Sequence, residues 1–384
     1  MSVSNDGAPG NSASTETGRN DGTPIRVTLS MLSLVPGGMG GSETYARELA
    51  RGLDARADVT VDALVPGNAG GSSGIAAEHA IAGVVARPST LGRLRALLSA
   101  TLARRSIRLL NADAAVVHFP FTVRVPKAAA GQATVMTVHD VQHRELPHLF
   151  SIAEKIFRVF SYEIPARKAD IVVTISEFAR GGIEKHLRVP AERIRVIPLG
   201  VDITEFTPYF GEREDFVLYP ARGWPHKNHA ALLAAMELLR VERPGLRLVL
   251  TGGNLDALGS MPEWVERRGL VPREELLGLY RSASALVFPS LYEGFGLPPL
   301  EAMASGCPVA ASNAGSIPEV CGDAAVLFDP SDPADIARGV RDAIAAGPEL
   351  TQRGLVRAAR FTWESCVDGH VAAFRDAARL HGAR

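Results

Sequence analysis

Two glutamates, Glu293 and Glu301, frame a short loop that reads EGFGLPPLE. Each carboxylate can accept several hydrogen bonds, so a pair of carboxylates is suited to binding the hydroxyl groups of a sugar. Gly294 and Gly296 carry no side chain, and a ligand can therefore approach the backbone of this loop closely. Taken alone, Glu301 has a second interpretation, because an acid near the start of a helix also stabilises the helix dipole.

The elements around the loop are suited to holding an anion beside the two glutamates. Residues 285–288 form an apolar run typical of a buried strand, and Pro298 and Pro299 follow the loop where a helix should begin. Proline is tolerated in the first helical turn because the N–H groups of that turn have no partner inside the helix. Those free N–H groups lie at the positive end of the helix dipole and predict a phosphate site.

The pattern continues beyond the second glutamate as EAMASGCPVAASNAGSIPEV. Together with the loop, this stretch resembles the Glu-x7-Glu motif of the retaining GT-B glycosyltransferases of family 4, also called group 1. The resemblance covers nearly the whole chain from Ile25. It implies an α/β fold of the GT-B type, in which two Rossmann-like domains face each other across a donor-binding cleft. It further implies that Glu293 contacts the transferred sugar and that Glu301 contacts the ribose of the nucleotide.

The same resemblance implies site residues elsewhere in the chain. In ARGWPHKN, Arg222 and Lys227 match a basic pair directed at the donor diphosphate, and His139 matches a strand-end histidine near the sugar, with Asp140 beside it. A lysine at a helix start is unfavourable to the dipole, which also argues for a ligand near Lys227. The expected catalytic residues are Glu293, His139, Arg222 and Lys227. The expected donor-binding residues are Gly38, Gly40, Gly41, Arg222, Lys227, Gly252, Glu293, Gly294, Phe295, Gly296, Leu297 and Glu301.

The glycine loop PGGMGGSE near the N-terminus resembles the GT-B loop that lies under the donor diphosphate. It follows a buried strand that begins at Ile25 and precedes a helix that opens near Ser42, as in nucleotide-binding sheets. It has neither the GxGxxG spacing of a dinucleotide fingerprint nor the GKS or GKT of a P-loop. A merely tight turn is the alternative interpretation.

The implied reaction is transfer of a hexose from a nucleotide-diphosphate sugar to an acceptor hydroxyl with retention of the anomeric configuration. No covalent nucleophile stands out, and in a front-face mechanism the leaving phosphate itself accepts the proton of the acceptor. The chain has no Asp-x-Asp motif, and Asp329, Asp332 and Asp335 are typical of a strand end and helix caps. We therefore expect neither a metal ion nor a cofactor.

The donor and the acceptor are less closely specified. The segments PHKNH and SIPEVCGDAA are similar to bacterial mannosyl- and hexosyltransferases of polysaccharide assembly. They favour GDP-mannose as donor, with UDP-glucose or UDP-N-acetylglucosamine as alternatives, and a glycan or lipid-linked acceptor. A nucleotide-sugar epimerase is a second hypothesis, against which the pair of glutamates argues. A binding-only relative is a third, against which the intact set of acids and bases argues.

Composition sets the wider limits. The chain has 384 residues, which exceeds one ordinary domain, and a net charge of -1, which gives no reason to expect nucleic acid as a partner. We expect a disordered tail at 1–24, an N-terminal domain at 25–205, a C-terminal domain at 206–362 and a helix at 363–384 that crosses back. The three cysteines lie far apart and predict reduced thiols in a cytoplasmic protein. The oligomeric state is not predicted.

A basic amphipathic helix is predicted from Thr90 to about Arg108, with leucines at helical spacing and several arginines. Such a helix can lie on an anionic membrane, which would make the protein peripheral at the inner face of the cell membrane. A helix packed on its own sheet with a solvated basic face is the alternative, and we favour it. No apolar run is long enough to cross a bilayer.

Overall fold

A computed structural model describes residues 23–87 and 90–383. Nearly all of the predicted disordered tail therefore lies outside the described residues. The same is true of five side chains of the predicted basic helix, those of Thr90, Leu91, Arg93, Leu94 and Leu97.

The first sheet contains seven strands that pair in parallel. They are β1 (Ile25–Ser30), β2 (Val59–Pro66), β3 (Glu78–Ile81), β4 (Val116–Phe119), β5 (Ala133–Thr137), β6 (Ile171–Thr174) and β7 (Ile194–Val196). Their order is β3-β2-β1-β4-β5-β6-β7. Every side chain of β4, β5 and β6 is buried, as expected for a parallel sheet covered on both faces. The order reverses between β1 and β4, and a crevice opens at the carboxyl ends of these strands.

The second sheet repeats this plan with six parallel strands. They are β8 (Glu214–Pro220), β9 (Arg247–Thr251), β10 (Val265–Gly269), β11 (Ala283–Phe288), β12 (Val309–Ser312) and β13 (Val326–Phe328). The order is β10-β9-β8-β11-β12-β13, so the reversal here lies between β8 and β11. Two such sheets with helices between their strands confirm the predicted α/β class and the GT-B architecture.

The helices connect the strands on both faces of each sheet. In the first half they are α1 (Gly41–Asp54), α2 (Thr90–Leu102), α3 (Arg104–Leu110), α4 (Gln142–Glu145), α5 (Ile152–Arg158), α6 (Ile164–Lys168) and α7 (Glu177–Gly182). In the second half they are α8 (His229–Glu242), α9 (Arg273–Ser282), α10 (Leu297–Ala304), α11 (Ile317–Cys321), α12 (Pro333–Ala345), α13 (Gly347–Ala358) and α14 (Trp363–Gly382). None of the helices within the described ranges is both long and apolar enough to cross a bilayer.

Two predicted helices are divided in the structure. The predicted basic helix from Thr90 consists of α2 and α3, which meet at Ala103. The sequence also predicts a helix from about Ser151 to Lys168. The structure has a helical run there, in which a π-helical turn, Val159–Glu163, joins α5 to α6. Pro165 is the second residue of α6, and because proline has no N–H it cannot complete a regular α-helical ladder there.

The last helix, α14, follows the second sheet in the chain but packs against α1 and against strands β4 to β6 of the first sheet. Its buried side chains include Cys366, His370 and Phe374. The chain crosses over near Gly200, where an added Cβ would lie 2.3 Å from the backbone nitrogen of Trp363. The domain boundaries given above stay predictions.

Candidate active site

Two adjoining hollows lie between the sheets, and both are lined by residues from both halves of the chain. The larger has a volume of about 670 Å³ and includes Gly252 and Glu301. The smaller has a volume of about 300 Å³ and includes His139, Lys227 and Glu293. Five residues line both hollows, so the two form one continuous cleft: Gly40, Pro220, Ala221, Arg222 and Leu297.

Arg222 lies where the two hollows meet. Its guanidinium donates a hydrogen bond of 3.2 Å to the carbonyl of Gly37, in the glycine loop before α1, and lies 5.4 Å above the Trp224 ring. An added Cβ at Gly40 would lie 3.9 Å from the Nε of Arg222, an ordinary van der Waals distance, so the glycine loop and the guanidinium are neighbours. The arginine therefore links the two halves of the chain at the middle of the cleft.

Two helices begin at the cleft with no side-chain cap. Gly40 precedes α1 with a φ of 59°, and Gly296 precedes α10 with a φ of 123°. Both angles lie in the region that favours glycine, which explains the residue type at these positions. An uncapped helix start of this kind can offer N–H groups to an anion, although Pro298 and Pro299 in the first turn of α10 have none. The phosphate site stays a prediction.

Lys227 and Glu293 form an ion pair in the smaller hollow, the ammonium donating to the carboxylate. Their side chains are 14% and 15% exposed, so the pair lies largely out of water but faces the hollow. The backbone around Glu293 is held by Ser316, whose N–H and hydroxyl both donate to the carbonyl of Glu293, at 3.2 and 3.0 Å. The carboxylate is therefore fixed from its own backbone as well as from the lysine.

Glu301 lies on α10 and lines the larger hollow. Tyr280 donates to one of its oxygens at 2.8 Å and Arg273 to the other at 3.2 Å. Arg273 also forms two hydrogen bonds of 2.8 Å with Glu205, which hold the pKa of that carboxyl below its usual range. Burial raises the pKa of the Tyr280 phenol, and the adjacent carboxylate raises it further. Glu301 is thus an oriented carboxylate with lone pairs left for a ligand.

His139 follows β5 and lines the smaller hollow. Its Nε2 lies 2.9 Å from the carbonyl of Pro120, and because a carbonyl only accepts, Nε2 carries the hydrogen. Burial lowers the pKa of His139, although the Pro120 carbonyl and Asp140 oppose this effect. In the neutral ring Nδ1 is then the hydrogen-bond acceptor.

A chain of buried hydrogen bonds runs behind His139. The Nδ1 of His370 donates to the carbonyl of Cys366 at 2.7 Å, so its Nε2 must accept from the Tyr45 hydroxyl, also at 2.7 Å. The Tyr45 oxygen in turn accepts from Thr137 at 2.7 Å, and Thr137 accepts from His118 at 2.8 Å. Burial lowers the pKa of His370 to about 4, which keeps the ring neutral.

The Tyr45 ring connects these buried hydrogen bonds to the site. It meets the His139 ring edge-on, with the centroids 5.1 Å apart and the planes at 86°. The helix α14 thereby helps to fix the ring against which His139 packs.

The loop that carries Gly294, between β11 and α10, also touches the first half of the chain directly. An added Cβ at Gly294 would lie 2.5 Å from the carbonyl oxygen of His139, and Ser176 donates to the carbonyl of Gly294 at 2.7 Å. Glu319 accepts from the first two N–H groups of α7, those of Glu177 and Phe178, at 2.8 and 3.1 Å. These contacts hold the two halves together at the smaller hollow.

The structure brings nearly all of the predicted residues to the cleft. Gly41, Gly294, Phe295, Gly296 and Leu297 line the smaller hollow, and Gly252 lines the larger one. Gly38 is different, because it lines neither hollow and an added Cβ there would meet Val35 at 2.8 Å. Gly37 lines the larger hollow in its place.

Sequence reasoning missed the residues that orient the site. They are Arg273 and Tyr280 at Glu301, Ser316 at Glu293, Ser176 at Gly294, and Tyr45 with its partners behind His139. Most stand far along the chain from the residues they support, and no local pattern marks such a pairing.

The aspartates considered above act as the sequence predicted. Asp332 caps α12 by accepting from the N–H of Ala334 at 2.9 Å, and Asp329 accepts from Ser331 after β13. Within residues 23–87 and 90–383, no three His, Cys, Asp or Glu side chains are grouped so that they could hold a metal ion. Metal independence stays a prediction.

Comparison with known proteins decides the family. The model of the glycosyl transferases group 1 matches residues 203–360, and that of glycosyltransferase family 4 matches residues 39–205. O-antigen chain mannosyltransferase B of Escherichia coli is 32% identical over 269 residues, which cover 64% of this chain and 70% of that protein. The chain belongs to the group 1 glycosyltransferases.

Other relatives and solved structures resemble this glycosyltransferase. MMP alpha-(1->4)-mannosyltransferase of Mycolicibacterium hassiacum is 33% identical over 229 residues, 55% of this chain and 55% of that one. Sucrose-phosphate synthase of Thermosynechococcus elongatus has a TM-score of 0.76 at 20% identity, covering 94% of this chain and all of that one. Anabaena HepE in complex with UDP-glucose has a TM-score of 0.68 at 16% identity, with 94% and 100% covered. At such identities the solved structures show the shared fold.

Proposed function

We propose that this glycosyltransferase moves a hexose from a nucleotide-diphosphate sugar to an acceptor hydroxyl with retention of configuration. The observation that carries the proposal is the division of one cleft into two hollows that meet at Arg222. The nucleoside would occupy the larger hollow beside Glu301, the sugar the smaller hollow beside Glu293, and the diphosphate the junction.

The charges in the cleft support this orientation of the donor. Arg222 can fork to two phosphate oxygens, and Lys227 can act as a point charge beside it. The N–H of Leu297 at the start of α10 would add a donor at the positive end of a helix dipole, since Pro298 and Pro299 have no N–H. Negative charge on the departing nucleoside diphosphate grows as the glycosidic bond breaks, so these fixed groups would stabilise the transition state more than the ground state.

Proton transfer follows from the same arrangement. In the front-face mechanism the leaving phosphate takes the proton of the acceptor hydroxyl on the side from which the sugar departs, and no enzyme base is needed. Glu293 would position the sugar through its hydroxyls, since its carboxylate faces the hollow and is fixed by Ser316 and Lys227. The Nδ1 of neutral His139 would accept from another sugar hydroxyl.

Mannose is the sugar that the relatives favour. The E. coli and M. hassiacum proteins are both named mannosyltransferases, at 32% and 33% identity. We therefore place GDP-mannose first, before a UDP-hexose, and expect a glycan or lipid-linked acceptor. A cytoplasmic location is supported by the three cysteines, which are all unpaired and buried.

A donor screen followed by a transfer assay tests the proposal. The full-length protein is first heated with GDP-, UDP- and dTDP-sugars, because a donor at a hundred times its Kd adds about 2.7 kcal/mol to the free energy of unfolding. Proton NMR of the product then reports its anomeric configuration, with EDTA added to a parallel sample. We expect retention and an unchanged rate in EDTA. An inverted product, or donor conversion that needs no acceptor, would overturn the assignment.

A further inference from the structure

A hollow of about 380 Å³ lies on the first sheet at the edge opposite the proposed donor cleft. Gln132 and Asp170, which directly precede β5 and β6, line it, whereas His139 and Ser176 follow the carboxyl ends of the same strands. At about 3.3 Å per residue, β5 alone separates the two edges by roughly 16 Å. The hollow shares no lining residue with the donor cleft.

Four cations line this hollow, Arg108, Arg124, Lys127 and Lys168. Over the part of the chain that the structure describes, none of the four forms an ion pair. The protein as a whole has a net charge of -1, so the clustering is local. Four unpaired cations around one concavity create a positive potential that attracts an anion.

Arg124 carries the strongest part of this observation. It is half-buried, and its Nε is buried with no hydrogen-bond partner among the described residues. Burial lowers the pKa of its guanidinium, although the charge of Asp170 opposes this effect. A buried donor without a partner is unfavourable, so the site would gain from a ligand that accepts its hydrogen bond.

One carboxylate, that of Asp170, lines the hollow, and it is already engaged. It accepts from the N–H and the hydroxyl of Thr134 at 2.8 and 2.9 Å, and His381 lies 3.5 Å from it. Its hydrogen bonds therefore tie the starts of β5 and β6 together. The charge of Asp170 also acts on Arg124 and partly offsets it, whereas Arg108, Lys127 and Lys168 remain available for an external anion.

We propose that this hollow is a binding site for a phosphate group, separate from the donor site. A phosphate monoester carries close to two negative charges near neutral pH and several acceptor oxygens, which suits one half-buried arginine and three exposed cations. The volume exceeds that of inorganic phosphate and leaves room for an esterified group. Leu109 and Leu110, which follow Arg108 in α3, are 79% and 40% exposed. Because exposed apolar side chains next to a cation also suit a lipid surface, the phosphate group has two candidate sources, a soluble ester and a lipid headgroup.

The first test uses inorganic phosphate and thermal unfolding. The variant Arg222→Ala/Lys227→Ala serves as background, because it removes the cations proposed to bind phosphate in the donor cleft. Phosphate should still raise its Tm, by about 2–4 °C at saturation. Adding Lys127→Gln/Lys168→Gln should abolish the rise, and both side chains are exposed, so the fold should be kept.

A matched control separates a site from simple net charge. Lys155→Gln/Lys185→Gln makes the same change in charge on the same half of the chain and should leave the phosphate-dependent rise intact. Arg124→Gln, in the same background, should reduce the rise. A rise that both lysine pairs reduce equally, or no rise in the background variant, overturns the proposal.

The second test distinguishes the two sources of the phosphate. Full-length protein is sedimented with vesicles of phosphatidylglycerol and, separately, of phosphatidylcholine. If phosphatidylglycerol vesicles retain the protein, Lys127→Gln/Lys168→Gln lowers that retention at least tenfold and the control pair does not, the site binds a lipid headgroup. No retention, together with the phosphate-dependent Tm rise, assigns it to a soluble phosphate ester. If Lys127→Gln/Lys168→Gln leaves the retention unchanged and phosphate does not raise the Tm, the proposed phosphate site is contradicted.

Discussion

At the scale of single residues, the proposed chemistry depends on a carboxylate that is held in place before any substrate arrives. Glu293 is fixed by Lys227 through its side chain and by Ser316 through its backbone. Such preorganisation matters because a fixed charge needs no rearrangement during the reaction. Lys227 would then serve two partners, the carboxylate and the diphosphate.

Glu293→Gln should lower kcat by about 10²–10³-fold, because the amide keeps the shape but loses the charge that binds the sugar and pairs with Lys227. Donor turnover measured at saturating donor and acceptor checks this. Glu349→Gln is a suitable control, since Glu349 forms an exposed ion pair with Arg353 far from the cleft. A kcat within threefold of wild type would remove Glu293 from the mechanism.

Tyr45→Phe should lower kcat about tenfold while leaving the KM for the donor nearly unchanged. The variant keeps the ring but loses both hydroxyl bonds, and the ring is then free to shift against His139. Thr351→Val is the control, because it removes a buried hydroxyl bond to Gly306 remote from the cleft. If the Tm falls in both variants and kcat falls in neither, Tyr45 has a purely structural role.

Residue types in a local pattern could be predicted from the sequence, and residues that act across the chain could not. Glu293, Glu301 and Lys227 stand in recognisable motifs, and the structure brings them to one cleft. Arg273 reaches Glu301 from 28 positions away and His370 reaches Tyr45 from 325 positions away, distances at which a single sequence carries no signal.

At the scale of elements, the loop between β11 and α10 has to fit against the carboxyl end of β5. Gly294 permits this fit because no side chain lies between its backbone and the carbonyl of His139. Ser176, just before α7, binds the carbonyl of the same glycine. The two halves therefore meet at backbone distance beside the proposed sugar site.

Gly294→Ala should lower kcat by more than tenfold with a small change in Tm. Its Cβ would lie 2.5 Å from the carbonyl oxygen of His139, so the loop has to move away from β5 while each sheet stays folded. Gly278→Ala is matched to it, because nothing lies within 4 Å of the new Cβ in α9 and alanine favours the helix. Equal activity in the two variants would show that close approach at Gly294 is not required.

The start of α8 should make stability depend on pH. Burial, Lys227 and His226 lower the pKa of His229 to about 4, and neither of its ring nitrogens has a partner among the described residues. The folded pKa lies below the unfolded value near 6.5. The neutral His229 ring therefore contributes fully to the free energy of unfolding above pH 6.5, and this contribution is lost as the pH falls towards 4. His229→Phe keeps a ring against Tyr219. Between pH 7.5 and pH 5 the free energy of unfolding of this variant should fall by about 2 kcal/mol less than that of wild type.

Urea unfolding at several pH values measures this difference in the free energy of unfolding. His148→Phe, at an exposed histidine, is the control and should keep the wild-type slope. A slope for His229→Phe equal to that of wild type would contradict the neutral, buried histidine.

Long buried strands and helices with clear starts could be predicted from the sequence, whereas short edge strands and an irregular helix could not. The sequence predicts a helix from about His229 to Glu242, and α8 has these bounds. Strands β3 and β13 have four and three residues and lie at sheet edges, where little apolar periodicity is available. The π-helical turn before Pro165 interrupts a helix that periodicity alone predicts as regular.

At the scale of the whole molecule, two sheets of the same strand order face a common cleft, and α14 returns from the second half to the first. The reversal of strand order lies at the cleft in both sheets, which is where open parallel sheets bind ligands. The cleft therefore follows from topology, while its chemistry follows from a few residues at the strand ends. The proposed phosphate site uses the opposite ends of the same strands.

The central claim is that a nucleotide-diphosphate sugar spans the two hollows with its phosphates at Arg222. A crystal structure of the protein with GDP-mannose, or with the UDP-hexose that the donor screen selects, tests this most directly. The account predicts the diphosphate within hydrogen-bond distance of Arg222 and Lys227, the sugar at Glu293 and the ribose at Glu301. A bound donor whose phosphates lie away from Arg222, or whose sugar points out of the smaller hollow, would contradict it.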